Sequence, residues 1–365
     1  MAIAASGAVS LSDLRTEFVG GSSAISLNDL YRGGSNILAK AGDNPATNLA
    51  ASVPASGVID VQDFYSTAKG FKNTVSSSTT NIDADALFGD DYDVNYPKFI
   101  DINSGVTVGG SSDEAIDIPS GLAGTLVINN AGNVLGSGGA AGGAGGAAIN
   151  CASSGVTINN TGLLAGGGGG GGAGGAGGAG GAGTSTTTTI SSRNSPYGGS
   201  TWRFASGSWA GVGSWTHTAG AYSKSYGGHT FYRGSYAGSI GESAYYQITG
   251  HIVSTVSTSG GAGGAGGAGG VGQGYNQSAA SGASGASGAA GGTSAGTGGA
   301  GGAGGAGSAY ATAGGTGSTG STGANGNAAN GSGGSGGSSG GAAGAAVTGT
   351  SVTMNNTGTL HGAVA

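Results

Sequence analysis

Apolar positions recur along this chain in three rhythms, and each rhythm predicts a different element. The shortest is seen in Val9-Ser10-Leu11-Ser12-Asp13-Leu14-Arg15, echoed by Ile25-Ser26-Leu27-Asn28-Asp29-Leu30-Tyr31-Arg32 and more loosely by Val58-Ile59-Asp60-Val61-Gln62-Asp63-Phe64-Tyr65. Each copy offers a Ser or Asp to cap a short helical turn and places apolar residues on one face of it. Gly20-Gly21 and Gly33-Gly34 punctuate the copies. None is long enough to fold alone, so residues 1–74 read as docking pieces that become ordered on a larger assembly.

The second rhythm is alternation. Asn81-Ile82-Asp83, Phe99-Ile100-Asp101-Ile102, Val106-Thr107-Val108 and Ala115-Ile116-Asp117-Ile118 repeat at period two and predict strands across a β-rich connector, 75–135. A related pattern occurs three times: Val127-Ile128-Asn129-Asn130-Ala131-Gly132, Val156-Thr157-Ile158-Asn159-Asn160-Thr161-Gly162 and Val352-Thr353-Met354-Asn355-Asn356-Thr357-Gly358. An apolar strand, an Asn-Asn-x-Gly turn and a further apolar pair make a corner, and the strands supply a small conventional core. The last copy, in 351–365, implies that the chain returns to the end from which it set out.

The third rhythm has almost no side chains. Gly-Gly-x blocks run over 174–183, 260–270 and 298–307 within two stretches, 136–183 and 259–350. Glycine is 90 of 365 residues and proline 5, a composition at which disorder is the default expectation. Glycine also loses the most backbone freedom on ordering. Lateral pairing of main-chain N–H and C=O groups is the one compensating term within reach, since bare segments can approach closely. Collagen needs proline, and the chain has none after Pro196. The alternative is a bundle, or sandwich, of polyglycine-II-type helices folded from one chain, with small β elements, an aromatic β/loop insertion and short N-terminal helical turns. At about 3.1 Å per residue, 165–183 would span roughly 60 Å.

Charge and chemistry follow the same divisions. Residues 1–118 hold 6 Lys/Arg and 15 Asp/Glu, whereas 119–365 hold four cations and the single acid Glu242. No basic stripe marks a nucleic-acid partner. Asp91, Asp93 and Asn95 alternate as calcium ligands would, but the glycine and distal glutamate of such a loop are missing, and an acidic surface turn is the reading adopted. Cys151 reads as a small buried side chain. The N-terminus has no basic, long-apolar leader, and the implied route out of the cell is lysis of a producing host.

Residues 184–258 break the frame. They hold 12 of the 23 aromatics, all three Trp and three of the four His, spaced by Gly and Ser. Tyr, Trp, Ser and Gly together make a binding surface, with large contact area at low entropic cost. The candidate contact residues are Tyr197, Trp202, Phe204, Trp209, Trp215, His217, Tyr222, Tyr226, His229, Tyr232 and Tyr236; the bland alternative is a self-contained β core. Paired carboxylates and a His-based triad are both hard to assemble here, so no catalysis, metal or cofactor is expected.

The stretches 9–18 and 25–34 resemble the N-terminal signature of bacteriophage tail-fibre and tail-associated proteins. The Asn-Asn-x-Gly corners followed by Gly-Gly-x blocks resemble the glycine-rich tail-fibre adhesins of T-even-like phages. That resemblance implies glycine-rich helices sandwiched together and a tail-borne, receptor-binding role. It implies attachment to other phage tail proteins through Leu11, Leu14, Phe18, Leu27, Leu30 and Tyr31, and contact with a bacterial surface glycan or outer-membrane protein. Monomer and homotrimer both stay open. So do a non-adhesive head fibre or decoration protein and an extracellular ice-binding or matrix protein.

Overall fold

The computed structural model describes residues 3–39, 47–194, 201–203, 214–216, 223–226, 229–240 and 243–365, with those between 187 and 254 described by backbone alone. The alternating stretches become strands, as their period requires, and then stack in a way that no single stretch reveals. Phe71–Val75, Lys98–Ile102, Leu126–Asn130, Val156–Asn160 and Thr353–Asn356 pair in parallel as one face. Thr79–Thr80, Thr107–Gly109, Asn133–Leu135, Leu163–Ala165 and Thr359–His361 form a second. Ile82–Asp83, Ile116–Ile118, Ile149–Cys151 and Val347–Gly349 form a third. Three parallel faces visited in turn, rung upon rung, make a right-angled or triangular coil of strands, a β-solenoid.

Register aligns like with like. Ile100, Ile128, Ile158 and Met354 are rung partners on the first face; Val108, Val134, Leu164 and Leu360 are partners on the second. Ile82, Ile116, Ile149 and Val347 align on the third. These columns converge in one core, where Ile100, Ile128, Ile158, Val108, Val134 and Ile149 are fully buried. Each such side chain contributes about 1.5–3 kcal/mol on burial. At the corners, Asn130 donates to Asn160 Oδ1 (2.8 Å) and Asn160 to Asn356 Oδ1 (2.7 Å). A parallel column runs from Asn355 through Asn159 and Asn129 to the Asp101 carboxylate. The repeated Asn-Asn corner is therefore an amide ladder that pins register.

This arrangement corrects the expected fold class. The molecule is organised as a β-solenoid, with two short α-helices, Leu11–Leu14 and Ala84–Phe88, and not as a bundle of polyglycine-II-type helices. The sequence reading treated the apolar strands as a connector; they are the frame, because they alone bury enough side chain to make one. The glycine-rich stretches are insertions at a corner of this coil. The chain leaves the second face at Ala165 and rejoins the third at Val347 one rung later. One rung earlier, the same corner makes a shorter excursion over 136–148.

Within the inserted block, extended segments lie side by side and bond through main chain at three-residue intervals. Gly171, Gly174, Gly177 and Gly180 donate to the carbonyls of Gly270, Gly267, Gly264 and Gly261 at 2.7–2.8 Å. Their neighbours Gly172, Gly175, Gly178 and Gly181 donate to Gly315, Ser318, Ser321 and Ala324. Segments 296–305 and 332–341 donate in turn to carbonyls of 170–181. The remaining amides, of Ala173, Ala176 and Ala179, are met by the hydroxyls of Ser338, Ser335 and Ser332, each at 2.8 Å. The first outgoing segment is thus enclosed by four others. A Cβ on Gly177 would lie 2.0 Å from the Gly299 oxygen, so glycine there is a steric requirement.

The acidic turn reads differently in three dimensions. Asp91 is buried, and nearby Lys98 is fully buried with its ammonium donating to the carbonyls of Val94, Tyr96 and Ala123. Burial pushes the Lys98 ammonium down to about 8, against the pull of Asp91 and Asp93. The turn is a plug in the end of the solenoid, not a surface loop. Among the described residues no helix is long and apolar enough to cross a membrane.

Candidate functional site

Direction of travel decides where a site can lie. Segment 166–182 leaves the solenoid, 260–272 returns to it, and the four later segments alternate in the same way, as their pairings with 166–182 show. The returns near the solenoid are tied to it. Tyr275 fills the space over Gly109 on the second face, and Tyr310 stacks on His361 at 6.4 Å. The reversals at the opposite end comprise the aromatic insertion and two short turns, around 292–295 and 325–330.

Those three reversals meet. Asn327 accepts from the Thr184 amide through Oδ1 at 2.7 Å and donates through Nδ2 to the Thr184 carbonyl at 2.8 Å. Across the base, Thr258 donates through Oγ1 to the Thr293 carbonyl at 2.6 Å. Thr184 and Thr258 are the two ends of the insertion, and a strand pair grows from them: Gly183–Asn194 runs antiparallel to Ser243–Thr258 over twelve matched positions. The sheet continues through His229–Ile240 to Ser223–Tyr226. The glycine block therefore hands its main-chain pairing directly to a β-ribbon, with both exits held by neighbouring turns.

Of the candidate contact residues, Trp202 on Thr201–Arg203 is the register partner of Trp215 on Ser214–Thr216. Tyr226 is opposite His229 at a strand reversal, Tyr232 pairs with Ser223 and Thr249, and Tyr236 pairs with Tyr246. Tyr197, Phe204, Trp209, His217 and Tyr222 lie outside the described residues. Sequence reasoning missed the short turns. Asn325, Asn327, Thr293 and Ser294 stand exposed beside the insertion, and the signal available was the interruption of the Gly-Gly-x period at each of them.

The attachment candidates separate into two kinds. Leu14, Phe18 and Leu30 are at most 1% exposed and fill a small core with Ile3, Ile37, Val53 and Phe64. Leu27 is partly buried against that core, Leu11 is 43% exposed, and Tyr31 donates its hydroxyl to the Gly57 carbonyl. The N-terminal pieces thus carry a core of their own. Among the described residues no group of three or more His, Cys, Asp or Glu could hold a metal.

A stiff block, rooted in a solenoid and ending in a β-ribbon rich in aromatic sequence, defines a display scaffold for a binding surface. The family follows from a direct match: the model for phage tail fibre adhesin Gp38 covers residues 70–257, just over half of the chain, and the chain belongs to that family. It is a receptor-binding adhesin and a component of the virion tail. The chain is also similar to the crystal structure of the gp37-gp38 adhesin tip complex of the bacteriophage S16 long tail fibre. The identity is 17% and the TM-score 0.38, over 87% of this chain and 90% of that one; at this level the likeness adds nothing to the assignment. No curated protein matches the chain.

Proposed function

We propose that this adhesin attaches the particle to the bacterial surface through residues 184–258 at the far end of the glycine block, and that residues 1–74 join it to other phage tail proteins. The supporting observation is convergence: both ends of the insertion and both short turns are bonded together at the end remote from the solenoid. Trp202, Trp215, Tyr226, His229, Tyr232 and Tyr236 carry the contact, together with Tyr197, Phe204, Trp209, His217 and Tyr222. The ligand is a surface glycan or an outer-membrane protein, held without chemical conversion. The chain is made in the host cytoplasm and freed by lysis.

Adsorption of the purified full-length chain to host cells tests this. Changing Trp202 and Trp215 to Ala removes two aromatic anchors of about 2 kcal/mol each, and the expected loss is at least about tenfold in affinity. Wild-type adsorption by the double variant would contradict the assignment of the contact surface. Cells lacking surface polysaccharide and cells lacking individual outer-membrane proteins then separate the two ligand classes.

A further inference from the structure

The N-terminal unit repeats more deeply than its apolar pattern shows. Counting from the capping residue of each copy (Ser10, Ser26 and Asp60), the third residue on is Asp13, Asp29 or Asp63, and each bonds back to the capping residue's amide at 2.7–2.8 Å. The fourth is Leu14, Leu30 or Phe64, all fully buried in one core. The residue before the cap is Val9, Ile25 or Ile59, all packed against it. Connections between copies also repeat. Tyr31 donates its hydroxyl to the Gly57 carbonyl, and Tyr65 donates to Gly7 at 2.6 Å; in both, the fifth residue after one cap meets the third before the next. The Arg32 amide donates to Pro54 and the Ser66 amide to Ala4, in both cases the sixth after one cap meeting the sixth before the next.

One operation therefore carries the second copy onto the third and the third onto the first, around a shared core. The step from first to second is the exception, because the chain continues there as the helical turn Arg15–Val19. Two of the three exposed large apolar residues among those described, Leu11 at 43% and Val58 at 88%, lie on this repeat. Leu27 and Val61 occupy the position equivalent to Leu11. A single chain meeting a symmetric oligomer makes unequal contacts unless it repeats the partner's symmetry internally.

We infer that residues 3–69 are an internal triplicate that seats on the threefold end of a homotrimeric tail-fibre protein, one copy to each fibre subunit. Leu11, Leu27 and Val61 are the equivalent contacts, with Val58 beside them. The inference rests on the reading that the N-terminal unit joins the tail. It adds a stoichiometry, one adhesin chain per three fibre chains, and a near-equality among three contacts.

The test uses fibre-complete particles from a phage with this gene deleted, mixed with purified full-length chain. The expected result is one captured chain per fibre. Leu11→Asp, Leu27→Asp and Val61→Asp should each lower capture by about tenfold and by similar factors, with melting temperature and host-cell adsorption of the free chain unchanged. Val58→Asp, at a site too exposed to affect folding, should lower capture as well. Three chains per fibre, or one variant that abolishes capture beside others with no effect, would overturn the triplicate. Should the wild-type chain not be captured while it still adsorbs to cells, the attachment reading itself falls. Self-association of the free chain, lost in the same variants, would reassign the surface to a second copy.

Discussion

The solenoid and the glycine block it carries are held together by opposite means. In the solenoid, columns of Ile, Val and Leu meet in a core, and main-chain pairing follows the side chains. In the block, side chains are nearly absent and main chain packs against main chain, with segment 166–182 enclosed by four neighbours. The first arrangement tolerates a polar exterior and punishes lost volume. The second tolerates lost volume and punishes any added atom. Joining them lets a conventional core set the direction of a stalk that could not nucleate by itself.

The largest effects should come from paired substitutions that act oppositely in the two regions. Ile158→Ala deletes fully buried volume from the solenoid and should cost about 2–5 kcal/mol, read from chemical denaturation. Gly177→Ala adds one methyl to the block 2.0 Å from a carbonyl oxygen, and should cost about 3 kcal/mol or more despite being the milder change by every side-chain scale. A smaller loss, about 1 kcal/mol, is expected for Ser335→Ala, which leaves the Ala176 amide without its hydroxyl. Gly333→Ala should go the other way. A Cβ there meets nothing within 4 Å, so stability should rise by about 0.4–1 kcal/mol through the unfolded chain. A uniform penalty at both Gly177 and Gly333 would show that packing does not distinguish them.

Acid sharpens a different contrast, between the N-terminal unit and the block. The amides and hydroxyls of Ser10 and Ser26 hold the Asp13 and Asp29 carboxylates below their ordinary value of 3.8. A carboxylate depressed by folding adds stability above its unfolded value and loses it as pH falls through the folded one. The N-terminal unit should therefore loosen as pH drops below about 4, whereas the block holds no acid in segments 136–183 and 259–350. Amide exchange followed from pH 6 to 3 should show residues 9–31 opening first, and Asp13→Asn with Asp29→Asn should flatten that response.

Much of this could be read from residues. Period-two stretches became strands, Ser or Asp followed three residues later by Asp became capping boxes, and the Asn-Asn-x-Gly repeats became corners that stack on one another. The solenoid could not be read, for a physical reason. Register partners on its first face are separated by 27, 28 and 30 residues (Phe71–Lys98, Lys98–Leu126, Leu126–Val156) and then by 196 (Thr157–Thr353). A repeat interrupted by an insertion that long has no visible period. The acidic turn misled because Asp91 faces inward toward Lys98, a partner seven residues on whose burial depends on the solenoid end. The short turns beside the insertion were hidden because only equal segment lengths bring them to one end.

Hydrogen exchange at the glycine amides tests the central claim most directly. If main chain holds the block together, the amides of Gly171, Gly174, Gly177 and Gly180 exchange as slowly as that of Ile158 in the solenoid. Rapid exchange at those four glycines, beside a protected Ile158, would mean that the solenoid carries a loose tether and not a stalk.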